Sequence, residues 1–227
     1  MDEEEYGEIF LGKLTLSMML RLMLVAFLIG AVVGQVLDFA YPLFNALHYT
    51  PPTWKNGSIE VVWWMPILYG FAGVILWSGY VLLLRRTHEK PRGGFNPKWK
   101  FMLTGIGCFV LQFYGGPFLC GLGMDHILLF IIIVSTGVLV WWVFDRTHAG
   151  LFMLFLAAIL GPFAENIMIN VLHLYYYTRP DIFGVPLWFI GAYMCGAAPN
   201  AMVGRKYLIY LQRQKLKSKD LVKEKKF

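Results

Sequence analysis

A carboxylic acid and two amides lie inside a long apolar segment of the chain, from about residue 150 to 172. These side chains are Glu165, Asn166 and Asn170. They follow Gly161-Pro162, where the proline removes one backbone hydrogen bond of a helix. An ionisable side chain near the middle of a membrane span costs about 2.5 to 3.5 kcal/mol on insertion scales, so it requires a partner, a cavity or a function. The pattern fits the polar end of a ligand cavity, a proton-linked site, or interhelical hydrogen bonding.

The alternatives differ in the partners that they require. For interhelical hydrogen bonding, the candidate partners on other apolar segments are Gln35, Asp38 and Gln112. For an enzyme, Glu165 would act as acid or base in a small membrane-embedded isomerase or transferase that uses a lipid. We expect no metal or cofactor, because the histidines are scattered without metal-binding spacing and the three cysteines are unpaired in apolar segments.

A second polar feature is the acid-base pair Asp145-Arg146, which follows Trp141-Trp142 at the end of another apolar segment. Adjacent residues of a helix do not face each other, so the two side chains are not expected to neutralise one another. Only residues 145–149 separate this segment from the next, which predicts an antiparallel helical hairpin. From residue chemistry alone, Asp145 could cap the helix that begins near Thr147.

The composition indicates a protein whose surface faces lipid. Of the 227 residues, 58% are hydrophobic and 15% are charged, and the mean hydropathy is +0.57. Soluble domains contain about 25% charged residues. A water-soluble enzyme and a nucleic-acid-binding domain are therefore disfavoured, although the isoelectric point is about 9.2.

Apolar segments of membrane-spanning length recur along the whole chain. They lie at about 16–40, 61–84, 101–122, 126–144, 150–172 and 185–210. We therefore predict an all-α membrane protein built as a single bundle of six transmembrane helices. Gly30 and Gly34 in the first segment form a GxxxG-type candidate for close helix packing, and the run Tyr175–Tyr177 is typical of interfacial aromatic anchors.

The basic residues predict the orientation of this bundle. All lysines and arginines except Lys55 and Arg179, 18 of the 20, fall on one side of the predicted spans. Basic loops are cytoplasmic, so both termini are expected there. The predicted organisation is an acidic cytoplasmic N-terminus (1–15), a transmembrane domain (16–210) and a basic cytoplasmic tail (211–227). The tail ends in a sequence similar to the dilysine signal of endoplasmic-reticulum membrane proteins.

Three strings together resemble the insulin-induced gene (Insig) family. They are WWVFDRTHAG at 141–150, VVWWMP at 61–66 and YYYTRPD at 175–181. The resemblance implies a six-span, multi-pass protein of the endoplasmic reticulum membrane that binds oxysterols in a cavity between helices. It also implies sterol-sensing-domain partners such as Scap and HMG-CoA reductase, with a ubiquitin ligase as a further partner. It implies a regulatory binding protein rather than an enzyme.

The resemblance also implies roles for individual residues. The family's docking aspartate matches Asp145, with Arg146 beside it, and the third and fourth spans would complete that docking face. The family's sterol-cavity tryptophan matches Trp141. Leu128 stands where the family has a glutamine that contributes to sterol recognition, and Gln112 is a candidate replacement for that amide.

The predicted lipid-binding set extends beyond the family's pattern. It also includes Phe109, Glu165 and Asn166, of which the last two match no family hallmark. The ligand is therefore expected to be a sterol or another lipid such as a diacylglycerol.

Overall fold

The structure, a computed structural model, describes residues 3–224, with side chains as far as residue 218. Lys225 of the dilysine-like signal lies outside the described residues. The helices are α1 (Glu3–Leu11), α2 (Leu16–Asp38), α3 (Ala40–Leu43), α4 (Met65–Val74), α5 (Tyr80–Thr87), α6 (Trp99–Gly121), α7 (His126–Phe144), α8 (His148–Asn170) and α9 (Phe189–Glu224). A π-helical segment, Ile75–Gly79, joins α4 to α5. The described residues also form four short strands, β1 (Leu47–Tyr49), β2 (Trp54–Asn56), β3 (Ile59–Val61) and β4 (Tyr175–Tyr177).

Among residues 3–224, five helical segments are long and apolar enough to cross a membrane. They are Leu16–Leu43, Met65–Thr87, Trp99–Gly121, His126–Phe144 and His148–Asn170. Each coincides closely with one of the first five apolar runs of the sequence. The prediction of a mainly helical membrane protein is therefore confirmed, whereas the count of six spans and the cytoplasmic position of the termini stay predictions.

The sixth apolar run forms the first part of α9, at the centre of the bundle. This helix packs against α1, α2, α5, α6, α7 and α8. A helix enclosed by other helices can carry polar residues such as Asn200 and Arg205, because they meet protein rather than lipid. The boundary predicted at residue 210 falls inside α9, which continues to Glu224.

The GxxxG-type segment of α2 packs directly against α4. A Cβ atom on Gly30 would overlap the carbonyl oxygen of Tyr69, and one on Gly34 would overlap the Tyr69 ring. The absence of side chains at these two positions lets the helix backbones approach closely. The predicted packing role of this segment is therefore confirmed.

The connecting loops gather at two ends of the bundle. At one end, β1 pairs with β4 in antiparallel register and β2 pairs with β3. At the other end, the Arg85 guanidinium donates to backbone carbonyls just after α1, and the Arg92 N–H donates to the Asp145 carbonyl. The β1–β4 pair lines one end of an internal cavity, and the Arg92 hydrogen bond joins the loop after α5 to the α7–α8 hairpin.

Candidate functional site

An apolar cavity of about 330 Å³ lies between α2, α4, α8 and α9. Its walls consist mainly of aliphatic, aromatic and methionine side chains, among them Met65, Leu76, Met153, Leu156, Met168 and Phe189. The volume lies at the lower end of the range typical of ligand pockets, roughly 300 to 1,000 Å³. Apolar walls of this kind suit a hydrophobic ligand.

The cavity has one polar end, which is centred on Glu165. This carboxylate is buried and accepts hydrogen bonds from three tyrosine hydroxyls. The donors are Tyr175 at 2.6 Å, Tyr177 at 2.9 Å and Tyr193 at 2.6 Å. Tyr175 and Tyr177 are two residues apart in β4, so the alternation of a strand directs both rings to the same face.

A second buried carboxylate, Asp38, lines the same cavity. Its oxygens accept hydrogen bonds from Tyr49 at 2.5 Å and from Tyr69 at 3.3 Å. Tyr49 in β1 pairs with Tyr175 in β4, so the β1–β4 ribbon supplies hydroxyls to both carboxylates. We call Asp38, Glu165 and their five tyrosine donors the acidic cluster.

The tyrosines of the β1–β4 ribbon are held in the neutral form. Burial raises the pKa of Tyr49, Tyr175 and Tyr177 well above the usual value, and the nearby carboxylates raise it further. Their hydroxyls therefore keep their protons and can act as hydrogen-bond donors. They stabilise the carboxylates without supplying a positive charge.

The cavity is open on the side between α4 and α8. α4 packs on α2, while α8 packs on α5 and α9. The cavity residues that are exposed on this side are Leu68, Phe71, Ile75 and Leu160. Because α4 and α8 belong to apolar segments of membrane-spanning length, this opening faces the region that lipid chains would occupy.

At the other end of the molecule, Asp145 is fully buried, with 0% of its surface exposed. It accepts hydrogen bonds from the Tyr80 hydroxyl at 2.7 Å and the Thr147 hydroxyl at 3.2 Å. The guanidinium of Arg205, also 0% exposed, lies 3.7 Å away and donates to the Tyr80 oxygen. Burial raises the pKa of Asp145, and Arg205 offsets part of that rise.

The α7–α8 hairpin buries Asp145 and exposes the next residue, Arg146. Arg146 has a positive φ of 61° and is exposed, with its guanidinium 4.1 Å from the centre of the Trp142 ring. The capping role considered for Asp145 is wrong, because the Thr147 side chain accepts from the Gly150 N–H at 2.9 Å and caps α8. Asp145 thus holds the hairpin from inside, while Arg146 and Trp142 form its surface.

Comparisons with known proteins connect this architecture to a family. No family model matches the chain. It is 24% identical over 201 residues to the insulin-induced gene 1 protein of Danio rerio, covering 88% of this chain and 77% of that protein. It is 22% identical over 197 residues to the insulin-induced gene 2 protein of Gallus gallus, covering 82% and 80%. The chain is thus similar over most of its length to the insulin-induced gene proteins.

A solved structure agrees with this relationship at the level of the fold. The mycobacterial Insig homolog MvINS from Mycobacterium vanbaalenii has a TM-score of 0.69 and 18% sequence identity to this chain. The match covers 87% of this chain and 97% of that one. The Insig resemblance inferred from the sequence motifs is therefore confirmed, and the protein is a multi-pass membrane protein with the Insig fold.

Of the residues that the sequence assigned to lipid binding, Glu165 lines the cavity. Gln112 instead donates to the carbonyls of Ile133 at 2.7 Å and Gly191 at 3.1 Å, joining α6 to α7 and α9. Phe109 packs against Phe113 in a hydrophobic cluster. These two side chains hold the bundle together away from the cavity.

The remaining residues of that set also lie outside the cavity lining. Leu128 is 49% exposed on the outer face of α7. The Trp141 indole donates to the Thr147 carbonyl at 3.1 Å and so braces the hairpin. The side-chain oxygen of Asn166 accepts a hydrogen bond from the Asn170 side-chain amide at 2.7 Å, so Asn166 pairs within α8 rather than with Glu165.

Several cavity residues were missed by the sequence analysis. Asp38 was considered only as a hydrogen-bond partner of Glu165, and the tyrosine run only as membrane anchors. Three consecutive tyrosines show no alternation of residue type, so the two-residue period of a strand could not be detected there. In the structure, Tyr176 is exposed between two buried neighbours.

Proposed function

We propose that this chain is a membrane-embedded regulator of sterol or lipid homeostasis. It binds a sterol or related lipid in the cavity between α2, α4, α8 and α9, and it docks sterol-sensing-domain proteins of the Scap or HMG-CoA reductase type. The observation that carries the proposal is a cavity with apolar walls, a polar end at Glu165 and an opening between two apolar helices. The homology to the insulin-induced gene proteins supports the regulatory class.

The lipid would enter sideways from the bilayer. Its polar end would face the acidic cluster, and its apolar part would contact the methionine and leucine walls. Burial of apolar surface would provide most of the affinity, at roughly 25 cal/mol per Å². Hydrogen bonds at the polar end would fix the orientation of the ligand.

The docking face would be the hairpin surface formed by Arg146 and Trp142. A stacked arginine and tryptophan is a combination enriched in interface hot spots. The sequence assigned docking to Asp145, but this side chain is enclosed by Tyr80, Thr147 and Arg205. In this proposal Asp145 positions the hairpin and Arg146 contacts the partner. The proposed location is the endoplasmic reticulum membrane, where a ubiquitin ligase would be a further partner.

Lipid binding can be tested with two matched substitutions. Leu160 is 46% exposed and lines the opening, whereas Leu128 is 49% exposed and lies outside the cavity. We expect Leu160→Trp to weaken binding of a radiolabelled oxysterol to the purified protein by at least about tenfold, which corresponds to about 1.4 kcal/mol. Leu128→Trp should leave the affinity unchanged. Equal affinities of both variants and the unmodified protein would contradict the cavity assignment.

Docking can be tested by charge reversal on the same end of the molecule. Arg146 and Arg86 are both exposed there. We expect Arg146→Glu to abolish co-purification of a sterol-sensing-domain partner and Arg86→Glu to preserve it, at equal expression and equal thermal stability. Retained co-purification by Arg146→Glu would refute the proposed docking face.

A lipid-modifying enzyme is the second candidate function, because Glu165 is an acid that lines a ligand-sized cavity. The two amides considered as its helpers do not approach it, since Asn170 donates to Asn166 and to the Phe183 carbonyl. Both Glu165 oxygens already accept hydrogen bonds. The enzyme hypothesis requires that Glu165→Gln abolish turnover of a bound lipid, whereas the regulator hypothesis requires no turnover by either form.

A further inference from the structure

The acidic cluster contains two carboxylates, and the described residues around it provide no positively charged partner. Asp38 and Glu165 are both buried, and no lysine, arginine or histidine is among the described residues that line the cavity. A buried charge is stable only when it is paired or fully hydrogen-bonded. Within residues 3–224, no group of three or more acidic, histidine or cysteine side chains could hold a metal ion. An organic cation would complete this arrangement.

The tyrosine hydroxyls satisfy part of this requirement. Five of them donate to the two carboxylates, at 2.5 to 3.3 Å. Donation to a carboxylate favours its charged form. The hydrogen bonds therefore favour the charged form of each carboxylate, whereas burial without a cation opposes it. A positively charged ligand would supply the missing counter-charge.

A separate observation at the same place is the hydroxyl of Tyr41. This side chain lines the cavity and is 1% exposed, yet its oxygen has no hydrogen-bond partner among the described residues. It lies within electrostatic reach of both Asp38 and Glu165. An unpaired buried hydroxyl is destabilising, and a ligand with an N–H or O–H group would satisfy it.

We propose that the cavity selects a lipid whose polar end is a protonated amine, such as a sphingoid base. An ammonium group has three N–H donors and no acceptor, and the cavity offers the two carboxylates and the Tyr41 oxygen as three acceptors. The hydrocarbon chain leaves between α4 and α8. A lipid with a carboxylate or phosphate end is repelled by the same two charges. This inference rests on the proposed lipid-binding function and specifies its ligand class.

The test uses three probes that share one chain and differ only at the polar end. They are octadecylamine, octadecanol and stearate, added to the purified full-length protein in an uncharged detergent near neutral pH. Bound lipid is counted by native mass spectrometry. We expect the amine to bind at least about tenfold more tightly than the alcohol, and stearate to show no binding. Equal binding of amine and alcohol would overturn the charge selectivity.

Variants identify the groups responsible. Glu165→Gln and Asp38→Asn should each reduce the preference for amine over alcohol at least about tenfold, and Glu89→Gln, at the other end of the molecule, should not change it. Because the first two variants remove buried contacts, Tyr41→Phe is the conservative test, since it deletes a hydroxyl without a partner. It should weaken amine binding about threefold or more at unchanged thermal stability. An amine preference that survives all three substitutions would refute the proposal.

The outcomes separate this inference from the proposed function. If Leu160→Trp blocks amine and alcohol alike and the two probes bind equally, the lipid cavity stands and the amine selectivity fails. If Leu160→Trp weakens the binding of none of the three probes and of no oxysterol, the assignment of the cavity as a lipid site is refuted. An amine that binds tightly in the unmodified protein and weakly in Leu160→Trp and Glu165→Gln supports both.

Discussion

Removal of the Asp145 carboxylate should destabilise the whole bundle, because it leaves the Arg205 charge buried without its counter-ion. Both side chains are 0% exposed. In Asp145→Ala, the guanidinium keeps one hydrogen bond among the described residues, from Nη1 to the Tyr80 oxygen at 2.8 Å. Its Nε and Nη2 have no hydrogen-bond partner there. Breaking a buried ion pair from one side costs about 3 to 5 kcal/mol.

Removal of the Arg205 charge should lower the free energy of unfolding by less than removal of the Asp145 carboxylate. In Arg205→Met, the Asp145 carboxylate keeps its hydrogen bonds from Tyr80 and Thr147. Burial also raises the pKa of Asp145, so the acid can take up a proton instead of remaining a buried charge. The double variant removes both charges, and we expect it to be more stable than Asp145→Ala alone, with a coupling of roughly 0.5 to 3 kcal/mol.

The assay is thermal unfolding of the four proteins in one detergent. For a chain of this size, about 3 to 5 kcal/mol corresponds to a fall in Tm of roughly 6 to 20 °C. Strictly additive effects of the two substitutions would refute the reasoning. The prediction also matters for docking, because loss of a partner in Asp145→Ala would accompany loss of stability, whereas Arg146 can be changed without disturbing the buried pair.

Three further predictions concern the packing around the two regions. Burial raises the pKa of Glu60, but Lys55 at 2.6 Å, the Tyr49 N–H at 2.8 Å and His48 together lower it by more. The stabilisation that follows from the lowered pKa is present above the unfolded pKa and is lost as pH falls through the folded value, so Glu60→Gln should flatten the decline of Tm at acid pH. Gly30→Ala should lower the free energy of unfolding by about 1 to 3 kcal/mol, because the added methyl group would overlap with α4. Gly107→Ala is the control, since open space surrounds that position, and equal Tm values for the two variants would contradict the prediction. Gln112→Met should lower the free energy of unfolding by about 1 to 3 kcal/mol and leave the affinity for an oxysterol unchanged. A loss of affinity without a loss of stability would instead indicate that Gln112 contacts the ligand.

The helical architecture was accessible from the sequence because lipid-facing helices must be apolar along their whole length. The first five spans were predictable for this reason, as was the hairpin at residues 145–149. α9 carries a weaker signal, since it is enclosed by protein and can accept Pro199, Asn200 and Arg205. Its central position could not be inferred from hydropathy.

The acidic cluster was less accessible because its parts come from distant segments. Asp38 ends α2, Glu165 lies in α8, and their tyrosine donors come from β1, α4, β4 and α9. Strand pairing across more than 120 residues brings Tyr49 beside Tyr175. A span-by-span analysis finds each carboxylate but assigns it no partner, since strands of three residues give almost no periodic signal.

The two candidate regions share a frame made of α8 and α9. Near the cavity, Tyr193 of α9 donates to Glu165 of α8 at 2.6 Å. Near the hairpin, Arg205 of α9 lies 3.7 Å from Asp145, three residues before α8 begins. At 1.5 Å per residue, these contacts are about 20 Å apart along the helices. A ligand that changes the Glu165–Tyr193 contact therefore acts on the same pair of helices that positions Arg146. Such a ligand alters docking only if its affinity differs between the docking-competent packing of the two helices and the alternative packing.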